Sequence, residues 1–305
     1  MSRLAAQSLQ SESLSTAPTT LADASCELSA QILSNNHKEE VLVFLAEHPA
    51  RTFYLAGLIR DNGLVNPLNR GTFYGCRNDR GELEGVGLIG HATLVETHSV
   101  AALKALARVA RDYPRVHVLI GEWEKMDQFW HYYRQTGTPR LRRRKFLFGL
   151  TWPVALGEPV FGLRQATIND LTLVMPVQAQ MVLTESGIDP LQVDPIGFRL
   201  RCARRIEQGR VWVCVEGGRL MFKIDVISDT PGFVYLEGMY SDADESAADF
   251  ESRCLAHLSR RLLARTRSIG VAVDERDAAR LEFFKRAGFK RLSCYDTIYL
   301  HQKES

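Results

Sequence analysis

One stretch of the chain joins chemistry-bearing side chains to a shape that could use them: Phe233 to Arg253, FVYLEGMYSDADESAADFESR. Apolar, β-branched and aromatic residues fill most of Phe233 to Tyr240 and read as a strand, and Ser241 to Asp244 reads as a turn. Phe250, Cys254, Leu255 and Leu258 then carry the spacing of a helix face. The positive end of that helix's dipole, with its unpaired N–H groups, favours an anion such as phosphate, and glycines usually let the anion come close. Here the turn contains none. Two side chains of the strand are candidates for acid–base chemistry. Glu237, if buried, needs a partner, and Arg199 or Arg204 would serve. Tyr240 reads first as an amphipathic core residue with its hydroxyl at the edge. Lys223, in the earlier strand LMFKIDV, reads as a snorkelling lysine or as a contact for a ligand's carboxylate or phosphate.

The elements that must position these residues are legible on both sides of the stretch. Residues 1–36, rich in Ser, Ala, Thr and Gln, read as a disordered leader, with a transit peptide as the lesser alternative. From His37, two helices separated at Pro49 run to about Asp61. Thr72–Cys76 and Leu83–Ile89 form a hairpin about the Asn78–Gly81 turn. Ser99 caps a helix through Ala110, Val116–Ile120 is a buried strand, Trp123–Tyr133 a helix and Lys145–Leu150 a closing strand. After a Gly- and Pro-containing linker, a strand at Val160–Arg164 precedes a helix capped by Asn169 or Asp170, and Asp194-Pro195 opens another. Val211–Val215 and Leu220–Ile227 pair about Gly217-Gly218. A strand at Ile269–Val273, a helix from about Arg276 to Ala287 and a strand at Phe289–Leu300 close the chain. The order of elements in one half echoes that in the other.

Laid out from Gly238, the central stretch resembles the GNAT acyltransferases, in particular proteins in which a GNAT domain follows a smaller GNAT-like one. The family's GVxxxPxxRGxGxG run places its arginine on Ser246 and its glycines on Ala247, Asp249 and Glu251. A second motif, N-x-x-A-x-x-x-Y-x-x-x-G-F, falls on Asp277 to Phe289: Gly288-Phe289 match, while Asp277, Arg280 and Phe284 stand for the Asn, Ala and Tyr. The resemblance covers residues from about 160 to 300. It implies an α/β fold of tandem GNAT-like domains, each a mixed twisted β-sheet flanked by helices, at residues 37–152 and 160–305.

The resemblance also implies acetyl transfer from acetyl-CoA to an amine on a small molecule or protein. Glu237 would be the general base and Tyr240 the acid, since Phe284 has no proton to give. The cofactor would lie along Met239, Ser241, Ser246, Ala247, Ala248, Asp249, Phe250, Glu251, Asp277 and Phe284, with the pantetheine arm held by main-chain groups of Met239 and Ser241. Asp249 and Glu251, within about 6 Å of the phosphates, would repel them and weaken binding. The competing class is a binding or scaffolding protein that keeps the fold without the chemistry.

Composition narrows the remaining classes. A net charge of +2 with 45% apolar residues gives no bulk push toward nucleic acid or membrane. The basic run Arg140, Arg142, Arg143, Arg144 and Lys145, like Arg199, Arg201, Arg204 and Arg205, reads as a solvated face or as an attractor of coenzyme A phosphates, without the aromatics of a nucleic-acid platform. The six cysteines contain no C-x-x-C pair and read as reduced, mostly buried thiols of a cytoplasmic protein. The eight histidines show no ligand spacing; His91 and His98 are the closest pair, no Cys or carboxylate pattern joins them, and no metal is expected.

Overall fold

The computed structural model describes residues 28–113, 115–134, 138–152, 160–242 and 247–301. Its first half begins with strand β1 (Ala30–Ile32), helices α1 (Lys38–Ala46) and α2 (Pro49–Asn62), and strands β2 (Gly71–Arg77), β3 (Leu83–Gly90) and β4 (Ala92–Thr97). Helix α3 (Val100–Asp112), strand β5 (Val118–Glu122), helix α4 (Trp123–Tyr133) and strand β6 (Leu141–Leu150) complete it. The second half opens with β7 (Arg164–Gln165), helices α5 (Leu171–Ser186), α6 (Pro190–Val193) and α7 (Pro195–Glu207), and the hairpin β8 (Val211–Glu216) and β9 (Arg219–Asp229). Strand β10 (Val234–Ser241), helix α8 (Ala247–Leu263), strand β11 (Ile269–Asp274), helix α9 (Ala278–Arg286) and strand β12 (Lys290–Tyr299) follow.

Local chemistry sets many of these boundaries. The Ser99 hydroxyl accepts from the Ala102 N–H at 3.3 Å and Asp194 from the Gly197 N–H at 2.9 Å, satisfying donors that a helix start leaves orphaned. Pro49 and Pro195 each stand in the first turn, where a missing N–H costs nothing. Asp170 is the N-cap residue of α5, as expected, and its carboxylate closes a capping box with Thr167 around the 3₁₀ turn that runs into the helix.

The strands form one mixed sheet in the order β1-β2-β3-β4-β5-β12-β6-β11-β10-β9-β8-β7. Two parallel pairs, β4 with β5 and β10 with β11, mark the crossovers through α3 and α8. At the middle the halves exchange their last strands. β6, from the first half, pairs with β11, while β12, from the end of the chain, pairs with β5, and β6 and β12 lie side by side over Leu141–Gly149 and Lys290–Tyr299. The strands of the two halves therefore form one continuous sheet.

Three expectations change here. Ala30–Ile32, within the segment read as leader, pairs with Tyr74–Cys76, so order begins earlier than His37 and the first half has its first strand. Residues 1–27 of that leader, and the linker over 153–159, lie outside the described residues. Strand β4 escaped the sequence reading because only His91 separates it from β3. Strand β6 starts at Leu141, which draws the basic run into the sheet: Arg142 and Arg144, both half-buried, bond the fully buried Asp296.

Helix α2 ties the halves together. Phe53 stacks on Tyr235 at 4.2 Å between ring centroids and on Phe233 at 5.6 Å, and its carbonyl accepts from Ser228 Oγ at 2.6 Å. Burying such rings contributes roughly 1.5–3 kcal/mol each. Gly57 lets the helix approach β9, since a Cβ there would lie 2.5 Å from Ser228 Oγ.

Candidate active site

Strands β10 and β11 are paired only from Val234 to Leu236 and from Ile269 to Val271, after which they part. A bulge sharpens the split: Glu237 faces Asp225 and Tyr240 faces Lys223, so β10 carries one more residue than β9 over this interval. Gly238 absorbs it with φ +64, a conformation costly for residues with a Cβ. The edge of β10 that faces β11 is thus free of strand pairing from Glu237 onward, leaving main-chain groups of Met239 and Ser241 without β11 partners.

Two cavities meet at this split. One, about 780 Å³, is lined by Met239, Gln178, Val273, Arg276, Arg280 and Phe284 among others; the second, about 1010 Å³, lies between the halves. Glu237, Lys145, Glu185 and Arg205 line both. Both volumes lie in the range of ligand sites, roughly 300–1,000 Å³.

Glu237 is the hub. Lys145 Nζ, from β6 of the first half, lies 3.8 Å from its Oε1 and donates to Glu185 Oε1 at 2.5 Å. The Tyr54 hydroxyl, from α2, lies 3.4 Å from Glu237 Oε1 and the Tyr235 hydroxyl 3.5 Å, long contacts that contribute little. Burial holds the Glu237 carboxyl above its ordinary range; Lys145 and Arg205 pull it down, while Glu185 and Asp225 push it up. It lies deep in the molecule, yet 32% of its side-chain surface stays accessible because it faces the cavities. For Lys145, burial would lower the ammonium's pKa, but the Glu237 and Glu185 carboxylates outweigh it and the net shift is upward. Burial, and then Glu237, keep Tyr54 and Tyr235 protonated, well above the usual phenol range.

Beneath Glu237 runs a buried ion network. Lys223 is fully buried, with Nζ 2.9 Å from Asp225 Oδ1, 2.6 Å from Gln178 Oε1 and 3.2 Å from the Gly238 carbonyl. The contact with Asp225 has ion-pair distance but lies off the hydrogen-bond direction, so Oδ1 receives no hydrogen bond. Arg205 donates to the other oxygen of Asp225 at 2.9 Å. Lys223 is therefore a strut under the bulge, neither a snorkelling side chain nor open to a ligand.

The other expected residues scatter. Tyr240 packs on the cluster of Leu171, Val174 and Val213, away from both cavities. Phe284 is 4% exposed, edge-on to Phe283 and Phe289, and reaches the smaller cavity. Asp277 caps α9 by accepting from the Arg280 N–H at 2.9 Å and lines the cavity mouth. Phe250 packs on the core under α8. Asp249 points outward and pairs with Arg253 at 3.3 Å. Glu251 is buried and joined to Arg280 at 2.5 Å, so its charge is already matched and the repulsion expected of it is largely cancelled. Ala247 and Ala248 open α8, and Ser246 lies outside the described residues. Glu237's cationic neighbour is Lys145, not Arg199 or Arg204; Arg204 donates to Asn62 at 3.3 Å.

The first half has the same parting of parallel strands, since β4 and β5 pair only to Leu94 and Ile120. There it is plugged. Glu96, 5% exposed, is held by Lys125 at 2.6 Å, and Met126 packs under Gly121, where a Cβ would touch its methyl at 3.0 Å.

Among the described residues, no group of His, Cys, Asp and Glu could hold a metal, and no helix is long and apolar enough to cross a membrane. His98 packs tilted against Phe44 and His91 tilted against His117. Cys76, Cys202, Cys214, Cys254 and Cys294 are free thiols, and Cys26 lies outside the described residues.

This mixed sheet with two β-α-β crossovers has the fold of solved GNAT acetyltransferases, a tandem GNAT protein among them. No protein-family model and no curated protein matches the sequence; the likeness is structural. A Drosophila protein of known structure superposes with a TM-score of 0.63 at 12% identity, over 90% of this chain and 99% of that one. A GCN5-related N-acetyltransferase from Sphaerobacter thermophilus gives 0.54 at 12%, over 89% and 95%. A tandem GNAT protein from the clavulanic acid biosynthesis pathway gives 0.53 at 14%, over 91% and 100%.

Proposed function

We propose that the chain transfers an acyl group from an acyl-coenzyme A to an amine, with Glu237 as the base. The observation that carries this reading is the place of Glu237: a carboxylate with a raised pKa, standing where the strands part and touching both cavities. A base is most effective when its pKa approaches the working pH. The thioester would enter the smaller cavity along the unpaired edge of β10, and the amine would approach from the larger one. Attack by the amine nitrogen on the thioester carbonyl forms the amide and breaks the C–S bond; Glu237 takes the proton lost by nitrogen. Lys145, which lines both cavities, supplies the positive charge beside the departing thiolate. Direct attack gains from positioning and needs no covalent enzyme intermediate.

The residues present fit such a donor in part. The free strand edge suits the pantetheine arm, and Arg276 and Arg280 at the cavity mouth suit its phosphates, although Glu251 already occupies Arg280. Acetyl-CoA is the donor we propose, and the cytoplasm the compartment.

Release of free thiol from acetyl-CoA in the presence of primary amines tests the proposal directly, with Glu237→Gln as control. A binding protein without chemistry is the second reading, favoured by Phe284, whose ring reaches the cavity without a proton to donate. Calorimetric binding of coenzyme A with no thiol release by any amine would establish that reading instead.

A further inference from the structure

The larger cavity has a rim whose charge the proposed chemistry does not use. Its cations include Arg70, Arg140, Lys145, Arg201 and Arg205. Three of these are matched: Lys145 by Glu185, Arg201 by Asp194 at 2.9 Å and Arg205 by Asp225. Arg140 donates only to a main-chain carbonyl, that of Ser186, at 2.8 Å and lies over the Tyr299 ring. Arg70, an exposed residue, makes no side-chain hydrogen bond or ion pair among the described residues; the Asp194 carboxylate and the Arg201 guanidinium act on it from a distance.

Arg70 is also held in place by a built corner. Its φ of +52 is the one positive value at a non-glycine residue among the described residues, a strain of the kind that collects at functional sites. Its carbonyl accepts from the His91 N–H at 2.9 Å. Gly71 and Gly90 let the ends of β2 and β3 close around it, since a Cβ on Gly90 would lie 2.3 Å from the Arg70 carbonyl oxygen. Asn69 beside it is buried and bonded to Gly63 and Asn62. His91 and His117 pack tilted against each other next to it, 4.4 Å between ring centroids. Burial, with Arg70 and His117 close by, lowers the His91 pKa to about 4, so the positive charge at this corner belongs to the arginine.

The floor of the same cavity is aromatic: Phe53, Tyr235 and Tyr295 are each at most 4% exposed. We infer that the acceptor is an amine that also bears an acidic group, carboxylate or phosphate, with its body on the aromatic floor and its acid on Arg70 and Arg140. This rests on the acyl-transfer reading for the fate of the amine but not for the anion site. The cavity would then match a zwitterion end to end, with a carboxylate for the ammonium and guanidinium for the acid, the planar fork suited to either oxyanion.

The test is calorimetric titration of the full chain, without acyl donor, using matched probes: phenylalanine against phenethylamine, and phosphoethanolamine against ethanolamine. The acid-bearing member of at least one pair should bind at least about tenfold tighter, the usual yield of one charge-assisted contact. Which pair shows the preference separates carboxylate from phosphate. In Arg70→Asn/Arg140→Gln the preference should fall below about threefold with the plain amine unaffected. Asn tolerates the left-handed backbone at position 70, and Arg70→Asn alone should lose part of the preference if the double variant folds poorly. Equal binding within both pairs, a preference that survives the double variant, or no acid-bearing probe binding below about 10 mM overturns the inference. Failure here is distinct from failure of the catalytic reading. A protein that binds an acid-bearing probe yet acylates nothing keeps the site and loses the reaction. One that acylates both members of each pair equally keeps the reaction and loses the site.

Discussion

Replacing Glu237 by Gln should make the protein slower and slightly more stable at once. The carboxyl pKa is raised by burial against the opposing pull of Lys145 and Arg205, so ionisation is less favourable in the native state than in water. The Lys145 attraction is not small: at 3.8 Å and an effective dielectric of about 20 it amounts to roughly 4 kcal/mol. Burial, with the push from Glu185 and Asp225, outweighs it all the same. The sign follows. A folded pKa above the ordinary 4.5 gives stability that is full below that value and lost as pH rises through the higher folded value. Gln never ionises, so the variant should equal the parent below that window and exceed it above. With 32% of the side chain still open to the cavities, the gain should be about 1 kcal/mol or less, a rise in Tm of about 2 °C or less. Lys145 keeps Glu185 at 2.5 Å, so the variant does not orphan a buried cation. The rate of thiol release should fall by about 10²–10⁴ and the acid limb of the pH profile of kcat/KM should vanish. A threefold fall with the acid limb intact, or a variant less stable than the parent at pH 8, would refute this account of Glu237.

Lys223→Met removes the strut beneath the bulge but leaves Arg205 on Asp225, so it should cost about 3 kcal/mol, the lower end for a broken buried pair; a urea unfolding midpoint unchanged from the parent would sink the idea. Phe284→Tyr puts a phenol where the ring reaches the smaller cavity and should speed thiol release about a hundredfold if protonation of the leaving thiolate limits the rate; no change in an active protein would mean that the proton comes from elsewhere. Glu251→Gln frees Arg280 at the cavity mouth and should tighten coenzyme A binding about tenfold by calorimetry, at some loss of stability. An unchanged affinity would place the phosphates away from Arg280.

What the sequence disclosed was whatever local chemistry writes down. Ser99, Asp194-Pro195 and Gly217-Gly218 announce a cap, a cap and a hairpin turn because each satisfies backbone needs within a few residues. Strand β4 stayed hidden because only His91 lies between it and β3, too short a break to read as a turn. The exchange of β6 and β12 could not be read at all, since pairing between strands far apart in the chain leaves no periodic trace. Glu237 stood out as a carboxylate in an apolar strand, but Lys145, Glu185 and Tyr54 lie at unrelated positions and meet only in the fold. One signal was available: along β6 side chains alternate, so Arg142 and Arg144 share a face toward Asp296 while Arg143 and Lys145 share the face that lines the cavity.

The strand exchange explains why the site is single and why it needs both halves. Each half has a V between parallel strands, so the repeated order of elements offers two possible clefts. In the first, α4 begins at Trp123 directly after β5, bringing Lys125 onto Glu96 and Met126 under Gly121, which fills the opening from within. In the second, the crossover leaves the opening free, and the wall beside it is β6, a strand supplied by the first half. Lys145 reaches Glu237 only because of that exchange, and Tyr54 only because α2 packs across the boundary. Residues 160–301 alone would keep Glu237 and Arg205 but lose the Lys145 ammonium and one wall of the larger cavity. The first half, whose own cleft is closed, thus works as the supplier of charge and shape to the cleft of the second.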